Sequence, residues 1–395
     1  MSKTTLAWAD DIRKRNDGLV ALRRDFHQHA ELSFQEHRTA GVIAERLSAA
    51  GLEVRTGIAE TGVVGVLRGD KPGHTIGWRA DIDALPLDEI PDLPFKSGNA
   101  GVMHACGHDG HTAIAITLAE MLAARRAEMH GTVVFLFQPA EEVFGGAKPM
   151  IEAGALDDPH VEKVYGLHLT TMLPTGQVGV RSGPAMASSD FYDIEVKGMG
   201  GHGAFPHLSV DPITAAAHIL IGMQDLITRE VAAQEPAVLT IGEIKAGTKH
   251  NIIPEKAIMR GSLRTFTEPV RDQLVERLGT FASRIAQAYR AEARLTLVGD
   301  CCPAVVNPED EAEFIRHCMI DEVGKENLIE VPPVMGSDDM SLFLEARPGC
   351  YFWVGIAPKD QEPMPHHHPG FLMDEGGLEV GVRIGLSALL GSLVD

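Results

Sequence analysis

The sequence predicts an α/β fold: a mostly parallel sheet with helices on both faces, interrupted by an inserted α+β segment of ferredoxin-like pattern. Three observations predict it. Short apolar runs such as Thr132–Phe137, bounded by turn residues, alternate with helix-forming stretches on either side of the middle of the chain. Between about 185 and 298 the order becomes strand-helix-strand-strand-helix-strand, with half-exposed alternation. A length of 395 residues suits two domains rather than one. The expected organisation is therefore a discontinuous domain, 1–184 with 299–395, and an inserted domain, 185–298.

The first elements, from about Leu6 to Gly51, are two helices broken near His27 to Ser33. Val42, Ile43 and Leu47 stripe the second helix, and Gly51 closes it. Gly62–Leu67 and Thr75–Trp78 read as buried strands, Thr112–Ala124 as a helix, and Thr132–Phe137 and Glu162–Leu169 as further buried strands. In the insert, strands at Phe191–Lys197, Ala237–Lys245, Ala257–Phe266 and Ala293–Val298 surround helices at Asp211–Glu230 and Glu268–Arg290. Pro212 suits the first turn of the earlier of these helices. Helices at Glu309–Val323 and Ser337–Glu345, a strand at Cys350–Gly355 and a helix at Glu375–Leu393 complete the chain.

Composition narrows the classes of function. The formal charge of −20 excludes nucleic acid and anionic membrane as main partners, since both demand basic surface. No run approaches the ~18 apolar residues of a membrane span. Residues Met1 to Asp10 lack the apolar stretch of a secretory signal. Five cysteines, with Cys301 and Cys302 adjacent, do not make a disulfide framework, so a reducing cytoplasm is expected.

Chemistry concentrates in Met103-His104-Ala105-Cys106-Gly107-His108-Asp109-Gly110-His111, a loop running into an apolar helix. Thiolate and imidazole two residues apart on a turn are good ligands for zinc-like ions. Glu141-Glu142 follows the strand Thr132–Phe137 at the sheet edge where open α/β sheets build sites. One of the pair can bind metal while the other carries a proton. His168 closes a predicted strand at the same edge. One of His366, His367 and His368, held between Pro365 and Pro369, supplies a further imidazole. With Cys106, His108, Glu142 and His168 this makes five donors, more than the three protein ligands usual for one catalytic zinc. Two ions sharing a bridging group fit better. Glu141 would then take a proton from the activated water and pass it to the leaving amine.

These residues resemble those of the dinuclear metallopeptidases that include aminoacylases, acetylornithine deacetylase and succinyl-diaminopimelate desuccinylase. They are most similar to the amidohydrolase branch, with hippurate hydrolase and the plant auxin-conjugate hydrolases. The resemblance spans nearly the whole chain. It rests on Arg79-Ala80-Asp81-Ile82-Asp83-Ala84-Leu85-Pro86, the cysteine-histidine stretch, Gln138-Pro139-Ala140-Glu141-Glu142, Tyr165-Gly166-Leu167-His168, Gly201-His202-Gly203-Ala204, Asn251-Ile252-Ile253-Pro254 and His367-His368-Pro369-Gly370-Phe371. It implies a metal-dependent hydrolase of N-acyl or N-aroyl amino acids holding two divalent ions, Zn or Mn, with Ni or Co possible. It implies Cys106, His108, Glu142, His168 and His367 as ligands, His367 because the family's ligand stands two before the proline. Glu141 matches the general base, His202 an oxyanion donor, and Asn251 and Arg264 the residues that bind the substrate carboxylate. The insert would act as a lid and as the surface of a homodimer or higher homo-oligomer. Where the wider family has His-x-Asp, this chain has Arg79-Ala80-Asp81, which leaves Asp81 to orient ligands. His29-Ala30-Glu31-Leu32 stands where relatives show His-Pro-Glu-Leu, and Asp338 where they show Glu. Rival readings are a dipeptidase or carboxypeptidase, an amidase with Cys106 as nucleophile, and a binding protein without catalysis.

Overall fold

The structure is a computed structural model and describes residues 7–394. Leu6, the expected start of the first helix, lies outside them. The chain divides into two compact units: Met1–Gly183 with Val306–Pro332 and Asp339–Asp395, and Pro184–Val305 with Pro333–Asp338. The second unit runs past 298 because its last strand continues to Cys302.

In the first unit, helices α1 (Ala9–Gln28) and α2 (His37–Ala49) lead into strands β1 (Glu53–Ile58), β2 (Gly62–Arg68) and β3 (Lys71–Asp81). Helix α3 (His108–Ala124), β4 (His130–Gln138), the short helix α4 (Ala147–Glu152), β5 (Lys163–Pro174) and β6 (Val178–Gly179) follow. β1 is an edge strand whose residues are exposed or half-buried, so it has none of the apolar continuity that marks β2 and β4. Helix α3 is buried along almost its whole length. Such an all-round apolar helix belongs at the centre of a domain, and it shares its core with Phe26, Trp78 and Leu167.

The second unit has its own core, from Tyr192 and Ile194 through Leu278 to Ala291. Its strands are β7 (Ser189–Lys197), β8 (Gly201–His202), β9 (Ala237–Ala246), β10 (Ile252–Ile253), β11 (Lys256–Thr265) and β12 (Glu292–Cys302). Its helices are α5 (Pro212–Gly222), α6 (Gln224–Glu230) and α7 (Glu268–Ala288). Four strands form an antiparallel sheet in the order β9-β11-β7-β12, the ferredoxin-like arrangement. The stretch read as one helix, Asp211–Glu230, is two, parted at Met223.

The first unit resumes with α8 (Glu309–Val323), β13 (Leu328–Ile329), α9 (Met340–Ala346), β14 (Gly349–Ala357) and α10 (Gly376–Ser392). Helix α9 begins three residues later than the expected Ser337. The side chain of Asp339, just before it, is taken up by Arg79 and Gln138. The eight-stranded sheet has the order β1-β2-β4-β3-β5-β14-β6-β13. β4, β3, β5 and β14 run parallel at its centre. Their register sets Asp81 opposite Gln138 and His168 opposite Trp353, so the carboxyl ends of four strands gather at one edge. His168 does not end its strand, since β5 continues to Pro174. Pairing of β5 with β3 stops at Arg79 and Gly166, however, which leaves His168 beyond the end of its neighbour.

Candidate metal centre

Helix α3 starts at His108, four residues earlier than the expected Thr112, which puts His108 and His111 on its first turns. Gly107 before it adopts φ 96°, a left-handed conformation that glycine reaches without strain. This sharp entry separates Cys106 from the helix while keeping it beside His108. His108 is buried, and its Nδ1–H donates to the Asp83 carbonyl oxygen at 3.0 Å, with Asp83 Oδ1 at 3.3 Å. The tautomer so fixed turns the Nε2 lone pair towards the site, where no protein donor meets it. His168 is anchored alike: Nδ1–H donates to the Leu169 carbonyl at 2.7 Å, and Nε2 lies 3.5 Å from Cys106 Sγ.

Glu141 and Glu142 sit on a tight turn after β4, between two left-handed residues, Ala140 (φ 53°) and Phe144 (φ 51°). Glu142 Oε1 is buried without a hydrogen-bond partner and lies 3.9 Å from His108 Nε2. Its Oε2 is 3.2 Å from His367 Nε2. His367 takes φ 63°, and its backbone N–H donates to the Ala105 carbonyl at 2.9 Å, which ties the C-terminal loop to the Cys106 segment. The buried Glu141 brings Oε2 to 3.9 Å from His108 Nε2.

The donor atoms of Cys106, His108 and His168 lie within 4.8 Å of one another, as do those of Cys106, Glu142 and His367. Two adjoining donor sets share the thiol. All five expected ligands are therefore brought together, and the orphaned lone pairs on His108 and Glu142 are the polar vacancies that a cation satisfies. Asp81, His108 and His111 also cluster, but that set is closed by hydrogen bonds. His111 Nδ1–H donates to Asp81 Oδ1 at 2.6 Å, and its Nε2 accepts from the Leu169 amide. No lone pair of His111 is left for an ion.

Burial and neighbouring charges shift the donors in both directions: burial would lower His108, but Asp81 and Cys106 beside it hold its imidazole well above the ordinary range. Burial pushes the Glu142 carboxyl up to about 8, helped by the nearby charges of Asp83 and Asp81. Burial raises the Cys106 thiol well above its ordinary range, with Glu142 adding to it. Burial drops His168 to about 3. For Asp81, burial alone would raise the carboxyl, but His108, Arg79 and His111 hold it well below the usual range. Its Oδ2 accepts from Arg79, whose guanidinium also reaches Gln138 and Asp339. Both carboxylate oxygens of Asp81 are thus engaged, by Arg79 and by His111.

Sequence reasoning passed over Asp83. Its carboxylate meets His108 and accepts from the Glu142 amide at 3.0 Å and Ser33 Oγ at 2.7 Å, linking both halves of the centre. The available signal was the Asp-x-Asp spacing where β3 ends, which sets a second carboxylate just past the carboxyl end of that strand. His366, next to the expected ligand, has both ring nitrogens buried without hydrogen-bond partners and packs against the His168 ring at 5.1 Å.

His202, Asn251 and Arg264 belong to the second unit. The ladder of β8 with β10 brings the first two side by side, with Gly203 N–H donating to the Asn251 carbonyl. The exposed His202 accepts at Nδ1 from the Ala204 amide at 3.0 Å, which leaves its proton on Nε2 as a donor. Arg264 is half-buried, and one terminal nitrogen already donates to the Met335 carbonyl and Ser337 Oγ. Part of its guanidinium fork is thus committed.

Thiol, imidazole and carboxylate donors gathered at the ends of parallel strands define a metal-dependent hydrolase centre. The chain belongs to peptidase family M20/M25/M40, whose model matches residues 77–390, and it is a hydrolase of amide or peptide bonds. It is 38% identical over 377 residues to thermostable carboxypeptidase 1 of Saccharolobus solfataricus, covering 94% of each chain. It is 39% identical over 365 residues to an N-acetylcysteine deacetylase of Bacillus subtilis, covering 92% of this chain and 93% of the other. A crystal structure from B. subtilis, described as a dinuclear metal binding peptidase from the M20 family, matches with a TM-score of 0.84 and 36% identity over 96% of this chain and 99% of that one. No helix among the described residues is long and apolar enough to cross a membrane.

Proposed function

We propose that the protein hydrolyses the amide bond of N-acyl or N-aroyl amino acids, with Cys106, His108, Glu142, His168 and His367 holding two divalent ions. The observation that carries this is Glu141: a buried carboxylate 3.9 Å from His108 Nε2, beside the five donors assigned to the ions. Pure binding has no use for it. When bound, the ions supply Lewis acidity and bring the pKa of water towards ~7. Glu141 takes the proton of the attacking water and returns it to the departing nitrogen. His202, whose proton sits on Nε2, is the donor assigned to the developing oxyanion. Asn251 and the free edge of Arg264 are assigned to the substrate's carboxylate.

The relative named as a carboxypeptidase supports a second reading, action on peptides. Cys106 as nucleophile is disfavoured, since its Sγ is common to both donor sets and the reading assigns it to the ions. A cytoplasmic setting and a homodimer or higher oligomer formed through the inserted unit complete the reading, the first supported by five free cysteines.

The deciding experiment is a hydrolysis screen of acetyl-, benzoyl-, indoleacetyl- and long-acyl amino acids beside dipeptides, each with Zn, Mn, Ni and Co. Acyl amino acids should give the highest kcat/KM. Dipeptides exceeding all of them would move the assignment to a peptidase. Turnover that survives a chelator would remove the metal from the mechanism.

A further inference from the structure

We propose that Glu36 is a positioning residue for catalysis: it fixes the backbone of Ala140 and thereby aims Glu141, from a position remote in sequence, just before α2. The inference rests on Glu141 being the general base.

Glu36 is wholly buried. Its Oε1 accepts from the Ala140 amide at 2.9 Å, and its Oε2 accepts from Thr61 Oγ1 at 2.6 Å. It stands immediately before α2, where a glutamate would normally serve the helix terminus, yet Glu31 does that work. Glu31 Oε1 and Oε2 accept from the amides of Arg38 and Thr39 at 3.0 and 2.8 Å. Glu36 is thus released to point into the domain. A carboxylate is expensive to bury, and Ala140 and Thr61, which donate to it, both lie outside α2.

The contact falls where the chain needs it. Ala140 is in the left-handed region, which a residue with a Cβ avoids unless its surroundings hold it. The next residue is Glu141, so the Ala140 dihedrals decide where that carboxylate points. The rest of the turn is pinned separately: the Glu142 amide by Asp83, and the Gly145 amide by the Ala140 carbonyl. A Cβ on Gly146 would meet the Pro139 carbonyl at 1.7 Å, so the turn closes tightly on its own start. Its entry, at the Ala140 amide, is held by Glu36. Burial pushes the Glu36 carboxyl upward, against the hydrogen bonds from Thr61 and Ala140.

The test compares Glu36→Ala, Glu36→Gln and Glu36→Ala with Ala140→Gly, all as metal-loaded full-length protein, with kcat, KM, metal content and Tm measured. Glu36→Ala should lose about a hundredfold in kcat, the scale of a misplaced catalytic group, with KM and bound metal unchanged. Glu36→Gln keeps an acceptor for the Ala140 amide and should recover most of the loss. Adding Ala140→Gly should recover part of it, because glycine holds the left-handed conformation unaided. A wild-type kcat in Glu36→Ala, loss of metal from it, or a Glu36→Gln variant equally poor would overturn the inference. Glu141→Gln run in parallel separates the two readings. If it turns over normally the general-base assignment fails; if it is inactive while Glu36→Ala is not, only the role of Glu36 fails.

Discussion

Replacing Asp83 with alanine should weaken metal binding without touching a ligand. The side chain meets three partners: Glu142 N–H at 3.0 Å, Ser33 Oγ at 2.7 Å and His108 Nδ1 at 3.3 Å. His108 keeps its shorter bond to the Asp83 backbone carbonyl, so its orientation survives. The loss falls on the Glu142 turn, whose amide is left without an acceptor at a cost of about 1–3 kcal/mol. Removing such a supporting contact typically costs about 10–100-fold in metal affinity, or roughly 1.4–2.8 kcal/mol. Asp83→Asn keeps one oxygen for the Glu142 amide and should lie near the lower end of that range. The assay is titration of metal-free protein with Zn or Mn against a chromophoric chelator, with circular dichroism to establish folding. Affinity within about twofold of wild type in a folded Asp83→Ala protein would refute the linkage of the two halves of the centre through this carboxylate.

Further expectations follow from the same geometry. Glu141→Gln should bind both ions as wild type does and lose almost all turnover, checked by elemental analysis beside single-turnover kinetics. Cys106→Ala removes the donor common to both sets, so metal content should fall below two ions per chain; an unchanged content would exclude a shared thiolate. Arg79→Leu strands the buried carboxylates of Asp81 and Asp339 and should cost about 3–5 kcal/mol, read from denaturant unfolding. For pH, the Glu142 carboxyl is raised from 4.5 to about 8 in the folded state, so its stability contribution is present below 4.5 and lost as pH rises towards 8. His104 and His168, lowered by burial to about 4 and about 3, oppose this only below 6.5. Between pH 6.5 and 8, chelated protein should therefore lose Tm, and Glu142→Gln should lose less; a Tm that rises across that window would contradict the assignment.

The clustering of the candidate donors was legible because their chemistry has no use in a core. A cysteine and a histidine flanking a glycine, paired glutamates after an apolar run, and a histidine at a sheet edge stand out against apolar neighbours, and the structure puts them within reach of one another. The parallel centre of the sheet was legible for a related reason: β4 and β14 are buried on both faces and read as continuous apolar runs. What could not be read was the set of partners. Nothing in the spacing tells that His111 spends both nitrogens on Asp81 and Leu169, or that Glu36 answers to Ala140. Those bonds join segments far apart in sequence and exist only once the sheet order is set. Edge strands such as β1 escaped because half-exposed residues carry neither alternation nor apolar continuity. His168 looked like a strand end because Thr170 and Thr171 interrupt the apolar run just after it, whereas β14 gives β5 a partner as far as Pro174.

The order of the sheet also sets an order of assembly. β3, β4 and β5 can pair as they leave the ribosome, but the free side of β5 belongs to β14, with Gly349 opposite Val164. The whole second unit is translated between those two residues. Until then a nascent chain carries an open strand edge beside Tyr165, Leu167 and Leu169, all destined for the interior, a surface that invites mispairing. Closure over so long a loop adds little to the equilibrium cost but slows folding. Four of the five donors are made before the insert, and His367 arrives only after β14. The proposed centre is therefore complete only after the sheet has closed.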